Sequence, residues 1–462
     1  MIRPSKEDRR RLGLVEEQPA FTDMGNARRF ADQHRDDVRF CYQWSKWLSW
    51  DGRRWGEDLT GGVERKAKDT VRRMYREAEQ AADEKVRKAA ARHAIRSESQ
   101  MRVRAMLGLA RSEDGIPVTA DQLDTDPWVL NVANGTLDLH TGELRDHRRE
   151  DHITKLAPVE YDPDASAPTW EAFLEQVLPG EELRRFLKRA VGYSLTGDTS
   201  ERVLLLLHGT GKNGKSTLLE AIRDALGDYA MKTPTETLLA KPAGGIPNDL
   251  ARLKGARFVA ASETEANRRL AEAMVKEITG RDTISARFMR AEWFDFRPEF
   301  KIWLATNHKP EVRGTDPAIW DRIRLVPFEV RIADEKQDKR LPDKLREELP
   351  GILAWAVEGC LEWQREGLGD PVEVKKATES YRQEQDLLGA FFEDECFVGG
   401  AAVAGATHLY NRYKTWCEET GERCETQTRF GRQLSERGFE SDRDPSTRRK
   451  TWRGIGLLDD SP

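Results

Sequence analysis

A short run of residues concentrates the chemistry of this chain: Gly209-Thr210-Gly211-Lys212-Asn213-Gly214-Lys215-Ser216-Thr217. It fits the pattern G-x-x-x-x-G-K-[ST], with Gly209, Gly214, Lys215 and Ser216 in the fixed places. These residue types suit a polyphosphate. Glycines let backbone N–H groups turn inward and surround phosphate oxygens that side chains would obstruct. Lys215 adds a full positive charge for the β- and γ-phosphates, and the Ser216 hydroxyl is placed to ligate Mg²⁺. A helix starting near Lys215 aims its partly positive end at the same oxygens. The whole run from Gly209 to Thr217 is therefore the expected cradle for ATP.

Such a loop needs partners, and three segments offer them. Arg257-Phe-Val-Ala-Ala-Ser-Glu263-Thr-Glu265 reads as an apolar strand ending in carboxylates. Glu263, at the strand tip, is the expected Mg²⁺ ligand and general base, with Glu265 second; without the upstream loop both are ordinary surface glutamates. Lys301-Ile-Trp-Leu-Ala-Thr-Asn307 is another strand, ending in an amide. An amide both donates and accepts, so Asn307 suits the γ-phosphate and the attacking water; the plainer reading is a turn residue ahead of Pro310. Trp320-Asp-Arg322-Ile-Arg324-Leu-Val-Pro-Phe328 presents two arginines before a further apolar strand. An arginine reaching a transferred phosphoryl group is worth ~10³–10⁵ in rate, against a surface salt bridge as the alternative.

The elements around these residues have the right periodicity to position them. Val203 to Leu207 is an unbroken apolar run, as in a strand buried on both faces of a parallel sheet. Leu218, Leu219, Ile222 and Leu226 then recur at helical spacing, and Gly227 supplies a stop. Helices over 170–178 and 181–195, and strands over 258–261 and 302–305, complete an α/β pattern from Trp170 to about residue 385.

The flanks read differently. Residues 1–20 are a charged tail. Trp44, Trp47, Trp50 and Trp55 surround Asp51-Gly52, a hairpin signal, and predict a small aromatic core. Residues 62–111 are rich in Ala, Arg, Lys and Glu without proline and predict helix, with the charges on a solvated face. Trp128 to Leu144 alternates and turns twice, a β-meander, and Tyr161 to Pro168 reads as a linker. Beyond Gly400, Leu409, Tyr413 and Trp416 share a helix face, and a short helix over 428–437 points Phe430 and Leu434 inward. A turn at Asp444-Pro445, the basic run Arg448-Arg449-Lys450, then Trp452 and Ile455 follow, suggesting a winged helix-turn-helix. Arg429 and Arg432 fall on its second helix, Arg448 and Arg449 on its wing.

Bulk properties set limits. At 462 residues the chain holds two to four domains. Charged residues make up 34%, and no stretch approaches ~18 apolar residues, so no membrane span is expected. The N-terminus lacks an apolar segment to act as a secretory signal, and five cysteines without a C-x-x-C pair read as reduced thiols, together implying a cytosolic protein. A net charge of −5 confines any nucleic-acid contact to a local basic surface or channel.

The ordered set of segments resembles the superfamily 3 helicases, specifically the phage and plasmid primase–helicases related to the poxvirus-type enzymes. A further segment, Lys276-Glu-Ile-Thr-Gly280-Arg-Asp282-Thr-Ile-Ser-Ala-Arg287, is similar to the family's pore-hairpin motif, and Asn248-Asp249-Leu-Ala-Arg252-Leu-Lys-Gly255-Ala-Arg257 also fits. The resemblance implies an AAA+-type P-loop ATPase core over 166–385, a helper domain over 21–165 with mixed α+β and helical parts, and a winged-helix domain over 386–462. It implies a ring, usually a hexamer, with ATP between subunits, Arg322 supplied by a neighbour and Arg324 a weaker match for that role. It implies single-stranded DNA in the pore near Lys276 and Arg287, moved with 3′-to-5′ polarity. Arg281 stands where many relatives have a second glycine. Too few residues precede the helper region for a primase domain, so a separate primase is the expected partner. The leading expectation is an ATP- and Mg²⁺-dependent replicative DNA helicase of a phage, plasmid or mobile element. The alternatives are an origin-binding initiator whose ATPase gates assembly, with duplex DNA at the C-terminal domain, and a ring ATPase that remodels proteins.

Overall fold

The computed structural model describes residues 20–240, 248–262, 268–287, 292–312, 317–422 and 424–458. The chain begins with α1 (Asp23–His34), capped by the Thr22 hydroxyl, which accepts from the Gly25 amide. Strands β1 (Val38–Cys41), β2 (Lys46–Trp50) and β3 (Trp55–Glu57) follow. The β2–β3 hairpin turns where expected: Asp51 Oδ1 accepts from the amides of Arg53 and Arg54, and Gly52 takes φ +99°. The helical stretch divides into α2 (Gly62–Gln80), α3 (Glu84–Ser97) and α4 (Gln100–Ala110), and β4 (Pro117–Val118) closes a sheet in the order β3-β2-β1-β4. Phe30, Val38, Phe40, Val63, Val71 and Met106 form one core beneath it. The tryptophans divide: Trp55 is fully buried beside Leu48, whereas Trp44 is exposed.

The meander comprises β5 (Val129–Val132), β6 (Gly135–Asp138) and β7 (Leu144–Arg145). The segment read as a linker, together with the stretch just before it, is anchored to it. The Ala157 amide donates to Asn131 O, the Ala133 amide to Val159 O, and the Asn134 side chain pairs with both backbone groups of Tyr161. Tyr161 and Ala167 are buried. Turn-forming composition marked an irregular path, and packing then fixed it.

Next come α5 (Pro168–Val177), α6 (Glu181–Leu195), β8 (Leu204–His208), α7 (Lys215–Leu226), β9 (Ala230–Thr233), β10 (Phe258–Ser262), α8 (Glu272–Ile278), the hairpin β11 (Ile284–Ala286) and β12 (Phe294–Phe296), β13 (Lys301–Thr306), α9 (Pro317–Trp320) and β14 (Ile323–Pro327). Five strands form one wholly parallel sheet in the order β14-β8-β13-β10-β9. On β8, Leu205 and Leu207 face a core shared with Trp170, Phe186, Leu218 and the meander's Leu130 and Leu137. Leu204 and Leu206 face a second core with Val275, Trp320 and Tyr381. Burial on both faces explains the unbroken apolar run.

After β14 the chain forms α10 (Leu341–Glu347), α11 (Leu349–Glu366), which packs on α6, α12 (Val372–Glu384) and α13 (Leu387–Glu395). The C-terminal part adds β15 (Cys396–Gly405), α14 (Ala406–Thr420), α15 (Gln427–Glu436), β16 (Glu440–Arg443) and β17 (Lys450–Leu457), with an antiparallel sheet ordered β15-β17-β16. Leu409, Tyr413, Trp416, Phe430, Leu434, Trp452 and Ile455 share its core, the inward faces that their spacing predicted. All five cysteines are free thiols. Among the described residues no helix is long and apolar enough to cross a membrane.

Candidate functional site

The parallel sheet brings two of the expected site residues, Lys215 and Asn307, to one edge. β8 ends at His208 and α7 starts at Lys215, so the glycine loop lies at the carboxyl end of the sheet, where ligands of open parallel sheets bind. The loop needs its glycines. Gly211 and Gly214 have φ +96° and +84°, and Lys212 between them is also left-handed at +54°. A Cβ on Gly209 would stand 2.2 Å from both the Phe328 carbonyl oxygen and Asn213 Nδ2. Asn213 is buried, and its Nδ2 donates to Phe328 O at 3.2 Å. The Ile332 amide donates to Lys212 O at 2.8 Å, and the Lys212 ammonium pairs with Asp334 at 2.5 Å. The chain leaving β14 thus straps the loop tip. Asp334 carried no signal in the sequence, because its partner is 122 residues away.

Lys215 is the electrostatic centre. Only 6% exposed, its Nζ donates to Gly209 O at 2.7 Å, Asn213 Oδ1 at 2.9 Å and Asn307 Oδ1 at 3.2 Å. Burial lowers its pKa to about 8. All three of these acceptors are neutral. A buried ammonium among neutral oxygens is a site that an anion completes. Ser216 is exposed in the first turn of α7, beside this charge, and Thr217 is half-buried.

Asn307 meets Lys215 because β13 lies beside β8 in register, with Thr306 opposite His208. β10 is the next strand over, with Ser262 opposite Ala305, so it ends at the same edge. Glu263 and Glu265, which follow, lie outside the described residues. A cleft of about 630 Å³ adjoins the loop, lined by His208, Gly209, Thr210, Lys309, Phe328 and Glu329 among others. Burial, then the neighbouring Lys309 and Lys215 charges, hold the His208 pKa below its usual value.

Arg322 is not brought to this loop. Its carbonyl accepts from the Leu204 amide at the start of β8, so it sits at the far end of the sheet, about 16 Å away at ~3.3 Å per residue. Its Nη1 donates to Ala318 O, and its buried Nε has no hydrogen-bond partner among the described residues. Arg324 is committed within the chain: it pairs with Asp370 at 2.5 Å and donates to Asp321 O.

The expected DNA-contacting residues occupy two other places. Lys276 lies on α8; Arg287 follows β11, with its guanidinium 4.9 Å from the ring centre of the exposed Trp293. Arg429 and Arg432 on α15 approach Glu425 and Glu436. Arg448 and Arg449 are exposed in the β16–β17 turn, whose backbone is held by Asp444.

Three stretches of the chain match models of known families. Residues 27–179 match the model described as D5 N terminal like, and residues 383–450 match the one described as Poxvirus D5 protein-like. Two stretches of the chain thus resemble D5-type domains. Between them, residues 207–322 match a family of unknown function, DUF5906, a span that holds the glycine loop, Asn307 and Arg322. Among curated proteins, this chain is 27% identical over 385 residues to 022R of Frog virus 3 (isolate Goorha), named as a helicase. It is 26% identical over 319 residues to L207/L206 of Acanthamoeba polyphaga mimivirus, also named as a helicase. It is 25% identical over 325 residues to C962R of African swine fever virus (isolate Tick/Malawi/Lil 20-1/1983), named as a primase. The matches take in 65%, 64% and 64% of this chain but only 40%, 33% and 34% of those proteins. Among solved structures, the apo C-terminal region of NrS-1 shares the fold, with a TM-score of 0.51 at 11% identity over 90% of this chain and 96% of that one.

Proposed function

We propose that this chain is an ATP- and Mg²⁺-dependent DNA helicase acting in replication of a virus, plasmid or other mobile element. The observation that carries the reading is Lys215, a buried ammonium held by the glycine loop and by Asn307 at the carboxyl edge of a parallel sheet. Loop amides and Lys215 would take the β- and γ-phosphates, and Asn307 would orient the water. Ser216 and Glu263 are the residues to hold Mg²⁺, which when bound would neutralise developing phosphate charge. Glu263 would accept the proton of the attacking water.

Arg322 cannot serve its own loop from the opposite end of β14. The reading therefore assigns it to a neighbouring copy's phosphate, in a closed ring of AAA+ type whose pore takes single-stranded DNA past Lys276 and Arg287 with 3′-to-5′ polarity. The strand order β14-β8-β13-β10-β9 suits that class. Residues 21–165 would act as helper domain, 166–385 as ATPase and 386–462 as a winged helix. The relatives named as helicases support the reading, although this chain spans a minor part of each. Strand displacement on a 3′-tailed duplex tests it: wild type should unwind with ATP and Lys215→Ala should not. Equal rates would end the proposal.

A second reading, an origin-binding initiator, is favoured by one observation, the exposed basic turn at Arg448, Arg449 and Lys450 beside α15. Replacing both arginines with alanine should weaken duplex binding and lower its salt dependence by about one unit per lost phosphate contact. It should leave ATP turnover stimulated by single-stranded DNA. Loss of that turnover with unchanged duplex affinity would remove this reading.

A further inference from the structure

We infer that α12, through Tyr381, is a positioning clamp that sets Asn307 and Arg322 relative to one another. The inference rests on the ATPase reading above and adds residues that no part of that reading uses.

The two reactive side chains leave the sheet at opposite ends and belong to different strands. One helix touches the chain next to both. On the Asn307 side, the Tyr381 hydroxyl donates to the Pro310 carbonyl, three residues beyond Asn307. The Glu384 carboxylate grips the Lys309 ammonium through both oxygens at 2.7 Å, and that ammonium lies 5.6 Å from the Tyr381 ring centre. Gln385, which caps α12, accepts from the Val312 amide at 2.9 Å. On the Arg322 side, the Tyr381 ring packs edge-on against Trp320 at 5.1 Å, two residues before Arg322. Thr378 accepts from the Leu325 amide at 3.0 Å, three residues after it.

Tyr381 is the member shared by both sides. It is 1% exposed, and burial holds its phenol protonated, so it remains a donor at any working pH. The segment after Asn307 is also tied locally, His308 to the Thr306 hydroxyl, and across to a neighbouring stretch, the Glu311 amide and carbonyl with Arg268 and Leu270. Those ties fix its height over the sheet. The α12 contacts fix its position toward β14. Removing the Tyr381 hydroxyl leaves the Pro310 carbonyl buried without its donor, and the cheapest relief is a shift of the segment that carries Asn307. A water-positioning amide tolerates little displacement, since misplacing reacting groups by an ångström costs up to ~10²-fold in rate.

The experiment is steady-state ATP hydrolysis by the full-length Tyr381→Phe protein, which keeps the ring against Trp320 and loses only the hydroxyl. We expect kcat to fall roughly tenfold, with KM for ATP within about twofold of wild type. In an Asn307→Ala background the same substitution should have no further effect on kcat, because Tyr381 acts through Asn307. Wild-type kcat in Tyr381→Phe, or an equal fold-loss in both backgrounds, overturns the inference. Gln385→Ala, at the half-buried C-terminal end of the clamp, provides the same test if Tyr381→Phe fails to fold. The parent reading fails separately, if Lys215→Ala hydrolyses ATP as wild type does.

Discussion

Lys215 loses water on folding and receives only neutral oxygens in return. Its ammonium therefore titrates near pH 8 rather than in its ordinary range. Bound triphosphate favours the charged form, so binding must pull that pKa back up. The sign follows directly. Below about pH 8 the lysine is already charged and ATP affinity is flat with respect to this group; above it, each pH unit costs about tenfold in affinity. Near pH 8, binding takes up about half a proton. Calorimetry in buffers of different ionisation enthalpy measures that uptake directly, and it should vanish in Lys215→Ala. Uptake that persists in the variant would place the titrating group elsewhere. The motif by itself foretold a lysine in this position. It did not foretell that Asn213 and Asn307 would share its amino group, because that needs β13 and β8 side by side.

At the scale of elements, the loop is a geometric object wedged between α5 and the end of β14. Gly214 sits at φ +84°, and a Cβ there would meet Val177 at 2.7 Å and Phe173 at 2.8 Å. Gly214→Ala should lose about 1–2 kcal/mol from the left-handed backbone alone, and more from the overlap. It should lower both the urea midpoint and nucleotide affinity. Unchanged affinity in a folded Gly214→Ala protein would mean that the loop takes its ligand in another conformation. The glycine pattern announced this loop; the walls that confine it, Phe173 and Val177, were legible only as an apolar helix face.

For the whole molecule, the decisive distance is the length of β14. Arg322 at its start and the glycine loop beyond its end cannot meet within one chain, so the proposed active unit needs two. Arg322→Ala should bind ATP as wild type does, yet hydrolyse it ~10³-fold more slowly or worse. Lys215→Ala should bind ATP more weakly and hydrolyse none of it. Mixed together, the two inactive proteins should recover part of the activity, since a Lys215→Ala copy lends its intact Arg322 to an Arg322→Ala neighbour. A mixture no more active than the sum of its parts would confine Arg322 to a structural role.

The sequence by itself determined what depends on neighbours along the chain. The glycine loop, the strands buried on two faces, the Asp51-Gly52 hairpin and the inward faces of the C-terminal helices all follow from periodicity and turn chemistry, which act over a few residues. Tertiary structure decided whatever depends on which strand lies beside which. Strand order put Asn307 on Lys215 and held Arg322 away. Packing turned residues 161–168 from a supposed linker into a segment whose Tyr161 and Ala167 are buried in a core, and ran α12 past both reactive segments. Those outcomes follow from burying two sheet faces at once, a condition that no single stretch of residues expresses.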